Sequence, residues 1–202
     1  MQKFFENNRI WITRLIGVFG LFILVMSNSY WEEKSEIFTY FLFMIGLFFV
    51  GVGSLGRMWC SLYIAGYKNR KLITEGPYSL VRNPLYVFSF IGALGVAFAS
   101  ETLTFPVLTA IGFFLYYPLV IQREERDLER LFGREFEEYK RRVPAVIPRL
   151  SSFYEPEEYT VNPRIYRRHM FSALWFIWIV GILELLEGLK ELGVIHALWS
   201  LY

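Results

Sequence analysis

Cysteine is nearly missing from this chain: Cys60 is the only one in 202 residues. That excludes an intrachain disulfide framework and a cysteine-built metal cluster. No internal repeat and no low-complexity linker interrupts the sequence, so residues 1–202 read as one unit. Charge is absent from most of five long stretches. Ile10 to Ser27, IWITRLIGVFGLFILVMS, holds only Arg14. Ile37 to Leu55, Leu85 to Ser100 and Leu103 to Gln122 hold no charge at all. Phe171 to Gly181 is equally apolar and continues through LELL, where Glu184 interrupts it. A membrane span needs about 20 mostly apolar residues, with a range of roughly 17 to 25. With 54% hydrophobic and 19% aromatic residues, a soluble domain of this size would struggle to bury its apolar surface. The expected class is all-α: a polytopic transmembrane bundle of about five helices, the fifth crossing fully or inserting partway.

The basic residues are unevenly placed. All but Lys34 and Lys190 fall in three regions: the N-terminus through Arg14, residues 57 to 82, and residues 123 to 168. The loop NSYWEEKSE after the first run is acidic. The positive-inside tendency then predicts a cytoplasmic N-terminus, cytoplasmic loops after the second and fourth helices, and a C-terminus outside. The first run has a basic start but no A-x-A-like cleavage site, so it reads as a span and not as a signal peptide.

Two polar segments share the expected cytoplasmic side. TEGPYSLVRNPLYV, residues 74 to 87, holds two turn signals. Gly76 tolerates positive φ and Pro77 fixes its own φ. Asn83-Pro84 sets Pro84 at the first turn of the next helix. If SLVR forms a helical turn, Tyr78 and Arg82 share a face. Residues 123 to 150 form the second segment. Leu128, Leu131, Phe132, Phe136 and Tyr139 fall on one amphipathic stripe, with Glu124 and Glu125 at its edges. Arg123, Arg126, Arg130 and Arg134 point away. VPAVIP ends that helix, and residues 151 to 164 are turn-rich. The helix of the second apolar run is expected to continue to about Tyr67. Arg82 and the Glu124-Glu125 pair would be opposite charges on one membrane face, able to pair or to receive a zwitterion.

These residues carry a family resemblance. GPYSLVRNPLY is similar to the GPYxxxRHPxY signature of the isoprenylcysteine carboxyl methyltransferase and phospholipid methyltransferase superfamily. EERDLERLFGREFEEYKRRVPAVIP resembles its partner, an EExxLxxxFGxxYxxYxxxVPxxxP stretch. The match covers residues 57 to 150; the C-terminal helix after residue 165 lies beyond it. The resemblance implies a membrane-embedded methyltransferase using S-adenosylmethionine. Its cofactor pocket would be cytoplasmic, built by the loop before helix three and the segment after helix four. Carried over by match, Gly76, Pro77, Tyr78, Arg82, Asn83, Pro84, Tyr86, Glu124 and Glu125 form the cofactor-binding set, with Arg82, Glu124 and Glu125 as catalytic residues. Phe132, Tyr139, Val143 and Pro144 would line the pocket. One departure stands out: the family's histidine is Asn83 here. Asparagine can hydrogen-bond but cannot titrate near neutrality. The only histidines, His169 and His196, lie outside the motifs.

The implied partners are membrane lipids and a lipophilic acceptor entering from the bilayer, with no nucleic acid and no metal. A carboxylate, an amine or a thiol acceptor all remain compatible. Two rival readings stand beside this one: an NADPH-dependent membrane sterol-type reductase, whose family carries a related RHPxY-like stretch, and a non-enzymatic membrane adaptor.

Overall fold

The computed structural model describes residues 27–28, 34–67, 70–196 and 199–200. Residues 10–26, nearly all of the first expected span, lie outside them. Helix α1 (Glu36–Ile64) leads into a single-turn α2 (Pro77–Leu80), then α3 (Pro84–Phe98), α4 (Thr104–Phe132) and α5 (Arg134–Arg142). A 3-10 turn at Leu150–Ser152 precedes α6 (Pro163–Ala173) and α7 (Trp175–Glu191). Among the described residues, strand pairing occurs in one parallel bridge, β1 (Ser27–Asn28) with β2 (Trp199–Ser200), where Ser27 faces Trp199.

Among the described residues, three helical units are long and apolar enough to cross a membrane: Glu36–Ile64, Thr104–Phe132 and Pro163–Glu191, each of 29 residues. The chain is an integral membrane protein. The third unit joins α6 to α7 through Leu174, whose backbone stays right-handed helical. The fifth expected span therefore begins at Pro163, well before Phe171. Asn162 caps it, accepting from Ile165 N at 3.2 Å. The third expected span is realised as a 15-residue helix, α3, about 22 Å long at 1.5 Å per residue. That is short of a bilayer core of about 30 Å. The second stops at Ile64 and not near Tyr67, because Gly66 takes φ +94 and turns the chain.

Small residues set the central packing. Lipid gives membrane helices no hydrophobic drive to associate, so close backbone approach through glycine matters more. A Cβ on Gly53 would lie 2.5 Å from Gly92 Cα, and one on Gly95 would lie 2.5 Å from Val50 N. α1 and α3 therefore cross antiparallel with their backbones in contact. α7 closes this core: Phe176 fills the space beside Gly92, and Val180 packs with Val50 and Ala99. α4 leans on α3 through rings. Phe90 stacks on Phe113 at 4.1 Å, and Tyr86 meets Tyr117 edge-on at 5.0 Å.

α4 runs unbroken from its apolar part into the charged segment and ends at Gly133, which has φ +48. The break resets the helical phase, and with it the expected stripe. Phe136, Tyr139 and Val143 are buried around Leu72, with Leu128 and Phe132 against them. Leu131 instead points outward at 55% exposure.

Candidate functional site

The two motif segments meet at one end of the bundle. Gly76 begins the contact. Its φ of +59 and its N–H, which donates to Tyr154 O at 2.8 Å, aim the chain back under the 150s. A Cβ there would sit 2.3 Å from the Tyr63 ring, so no other residue fits without displacing it. Pro77 and Pro84 are fully buried at the starts of α2 and α3. α2 is only one turn long, and Val81 is extended at φ −153 and ψ 140. Tyr78 and Arg82 therefore do not share a helical face as SLVR suggested. The Arg82 N–H donates to Pro144 O at 2.8 Å, and the Arg149 N–H donates to Leu80 O at 2.9 Å. Residues 80–82 thus pair with the segment after α5, and that pairing pulls Val81 out of helical geometry.

Arg82 reaches across to α4. Its Nε donates to Glu125 Oε1 at 2.9 Å, and its Nη2 lies 2.9 Å from the same oxygen. Nη1 donates to Lys140 O at 3.1 Å and to Val143 O at 2.6 Å. All three guanidinium nitrogens are engaged, so Arg82 holds Glu125 and the end of α5 together. Asn83, at 8% exposure, donates through Nδ2 to Ala145 O at 3.1 Å and lies 3.5 Å from Glu125 Oε1. The residue that replaces a histidine in the signature is thus a hydrogen-bonding strut, which needs no titration. Tyr86 sits one turn into α3, against Tyr117. Glu124 is exposed and is not brought to Arg82. Only Glu125 of the acidic pair is.

Tyr78 stands apart. Its backbone carbonyl accepts from Tyr139 Oη at 2.7 Å, but its own hydroxyl is buried with no partner among the described residues. Burial holds this phenol well above its ordinary pKa, and the neighbouring Cys60, Tyr139 and Glu124 add to the effect. Tyr139 is raised as well, by burial first, with Glu125 adding and Arg82 opposing. Both are neutral donors at physiological pH. The contacts of Glu125 described above converge on Oε1. That leaves Oε2, the Tyr78 hydroxyl and the exposed Glu124 as polar groups for a ligand. Such a set suits a cation or hydroxyl-bearing partner at the carboxylates.

A second layer escaped the motifs. Glu155 Oε1 accepts from Tyr63 Oη at 2.6 Å and from Trp59 Nε1 at 3.3 Å. Ser79 Oγ accepts from Tyr154 N at 2.9 Å, and Ser152 Oγ donates to Ser79 O at 2.7 Å. Tyr159 Oη donates to Tyr63 O at 2.8 Å. The turn-rich residues 151–162 are thus strapped onto α1 and α2. Among the described residues, no group of three His, Cys, Asp or Glu side chains converges as a metal site.

Comparison with known proteins gives the family. The phospholipid methyltransferase family model matches residues 35–135. The cobalt-zinc-cadmium resistance protein CzcN of Cupriavidus metallidurans is 36% identical over 201 residues, covering 100% of this chain and 92% of the relative. The nickel-cobalt-cadmium resistance protein NccN of Alcaligenes xylosoxydans xylosoxydans is 35% identical over 98% of this chain and 90% of its own length. The protein-S-isoprenylcysteine O-methyltransferase of Schizosaccharomyces pombe is 35% identical over 81 residues, 40% of this chain and 34% of that protein. No solved structure gives a significant match.

Proposed function

The chain belongs to the phospholipid methyltransferase family, and from that premise we propose that it transfers a methyl group from S-adenosylmethionine to a lipophilic acceptor in the membrane. One observation carries the proposal: Arg82 and Glu125, one from each motif and 43 residues apart, meet at the end of the bundle. When bound, the cofactor supplies an electrophilic methyl group on a sulfonium. The residues fit its chemistry in part. Glu125, through Oε2, and Glu124 would accept from its ammonium or ribose hydroxyls, and the Tyr78 hydroxyl would take up a further hydrogen bond. Arg82 is already engaged on every nitrogen, so its role is to hold Glu125 in place. Gly76, Pro77, Asn83, Pro84 and Tyr86 shape the wall behind them.

In-line displacement depends mainly on positioning, which a strapped and proline-ended wall provides. For a carboxylate acceptor the reaction neutralises charge, so a water-poor site favours it and no base is needed. For an amine acceptor, a glutamate of the pair would take the proton. We place the site and the N-terminus in the cytoplasm, following the basic residues. The full-length relatives are named for metal resistance, so we place the lipid modification in cells under metal stress.

The test is cofactor binding to the full chain in detergent, with NADPH as the rival ligand. S-adenosylmethionine should bind, and Glu125→Ala should weaken it about tenfold or more, the loss expected for a charge-assisted hydrogen bond. Binding of NADPH instead would install the reductase reading. Binding of neither would leave the adaptor reading.

A further inference from the structure

The chain that leaves α5 is irregular, apolar and of one charge sign. Residues 139–154 contain Lys140, Arg141, Arg142 and Arg149 and no acidic residue, whereas the charged part of α4 mixes both signs. Ile147 is 80% exposed, Leu150 79%, Tyr154 60% and Phe153 49%, and the four cations are exposed with them. Contiguous exposed apolar surface marks an interaction site. The segment is nevertheless held in place. The Arg149 N–H donates to Leu80 O, the Ser152 N–H to Arg149 O, the Phe153 N–H to Leu150 O and the Tyr154 N–H to Ser79 Oγ. Pro144 and Pro148 have no N–H to satisfy. Backbone can lie against lipid only where its polar groups are satisfied within the protein, and much of this segment meets that condition. Phe153 sets its depth. The uncharged run Ile37 to Leu55 spans about 28 Å of helix, close to a bilayer core of about 30 Å. Trp59 lies one turn further along α1, at the level where aromatic belts sit. The Phe153 ring stands 6.2 Å from the Trp59 ring, so the segment runs at the boundary between head groups and acyl chains.

We propose that residues 140–154 form an interfacial loop that docks on an anionic bilayer surface. Ile147, Leu150, Phe153 and Tyr154 enter the upper acyl region, and Lys140, Arg141, Arg142 and Arg149 hold lipid phosphates around them. The partner is a bilayer because the patch continues the exposed apolar surface of α1, whose Leu55 is 68% exposed one turn before Trp59. Its basic rim complements an anionic leaflet, the pairing that interfacial segments use. The docking does not rest on the methyl-transfer reading. It has a consequence for the candidate site: Pro144 O and Ala145 O of the same segment hold the Arg82 N–H and Asn83 Nδ2, so the wall between the two motifs is fixed at the membrane surface.

The experiment places the full chain in phosphatidylcholine nanodiscs with equal traces of two photoactivatable lipids, a phosphatidylglycerol and a phosphatidylcholine. Each carries a diazirine near the top of one acyl chain. After illumination and trypsin, the peptides 143–149 and 150–164 should carry lipid about fivefold or more above peptide 127–130, whose Asp127 and Arg130 side chains are 59% and 79% exposed. The phosphatidylglycerol probe should label them about twofold or more above the phosphatidylcholine probe. Lys140→Gln with Arg141→Gln should lower that ratio and leave labelling by phosphatidylcholine as it was. A fluorophore on Ile147→Cys should be quenched by a shallow nitroxide lipid, and by aqueous iodide less than one on Arg130→Cys. Labelling no higher than that of 127–130 overturns the docking. Equal yields from the two probes overturn the anionic preference. Protection of Ile147→Cys from both iodide and nitroxide would show a protein cover, a second copy or the N-terminal segment, and also overturns the proposal. If Ile147→Cys does not fold, photolabelling of the native chain decides.

Discussion

Replacing Arg82 by alanine removes more than an ion pair. Glu125, with 15% of its side chain exposed, would be left mostly buried without its cation. Stranding one member of a buried pair costs about 3–5 kcal/mol, and the residual exposure argues for the lower end. The carbonyls of Lys140 and Val143 lose a charged donor as well, at about 1 kcal/mol each when water can partly replace it. Together these give roughly 4–5 kcal/mol. For a chain of this size, each kcal/mol moves the midpoint by about 2–4 °C, so the melting temperature of Arg82→Ala should fall by roughly 10–20 °C. Glu125→Ala should cost less, because Arg82 keeps both carbonyls. In the double variant the stranded carboxylate is gone, so its loss should be no greater than that of Arg82→Ala alone. Thermal unfolding of the four proteins in one detergent measures all of this. A drop of less than about 3 °C for Arg82→Ala, or strict additivity in the double variant, would refute the account of Arg82 as the clamp between motifs.

Gly76→Ala should destabilise more than Gly133→Ala. Both glycines have positive φ, worth about 1–3 kcal/mol of strain, but only the first would also drive a Cβ into Tyr63; melting curves compare them. Gly95→Ala should lower the melting temperature by pushing α1 from α3, at about 1–3 kcal/mol for overpacking, while Gly112→Ala, inside α4 with open space around it, should leave it unchanged or raise it, since alanine is the better helix former by up to about 1 kcal/mol. Burial, with Glu75 and Tyr67, raises the Tyr159 phenol to about 12. The folded chain keeps this proton where the unfolded chain has lost it, so stability should fall as pH rises from about 10 to 12. Tyr159→Phe should flatten that part of a melting-versus-pH curve; an unchanged slope would show that Tyr159 is not the group responsible.

The helices of the core were legible because uncharged runs of the right length have few alternatives. The meeting of Arg82 with an acidic residue was legible too, since a helical period places the pair near the apolar stripe. Which glutamate would be used was not, because that depends on the rotation of α4 against α3, set by Phe90, Phe113, Tyr86 and Tyr117. Leu131 was misplaced because a continuous period was read across Gly133. The turn at Tyr78 to Arg82 was misread because its backbone partners, Pro144 and Arg149, are remote in sequence. Glu155 left no signal at all, for the tyrosine and tryptophan that hold it are 92 and 96 residues away.

The shortness of α3 has a consequence for the surrounding bilayer. Its last turn meets Gly46, where a Cβ would touch Ala99 N at 2.6 Å. Gly46 lies about 15 Å in from the start of α1. The hydrophobic thickness presented to lipid therefore changes around the circumference, large beside α1 and small beside α3. Lipids relax such a mismatch by local thinning and tilt. On that side the boundary between head groups and tails is drawn inward, and a polar head group has less hydrocarbon to cross on its way to the interior.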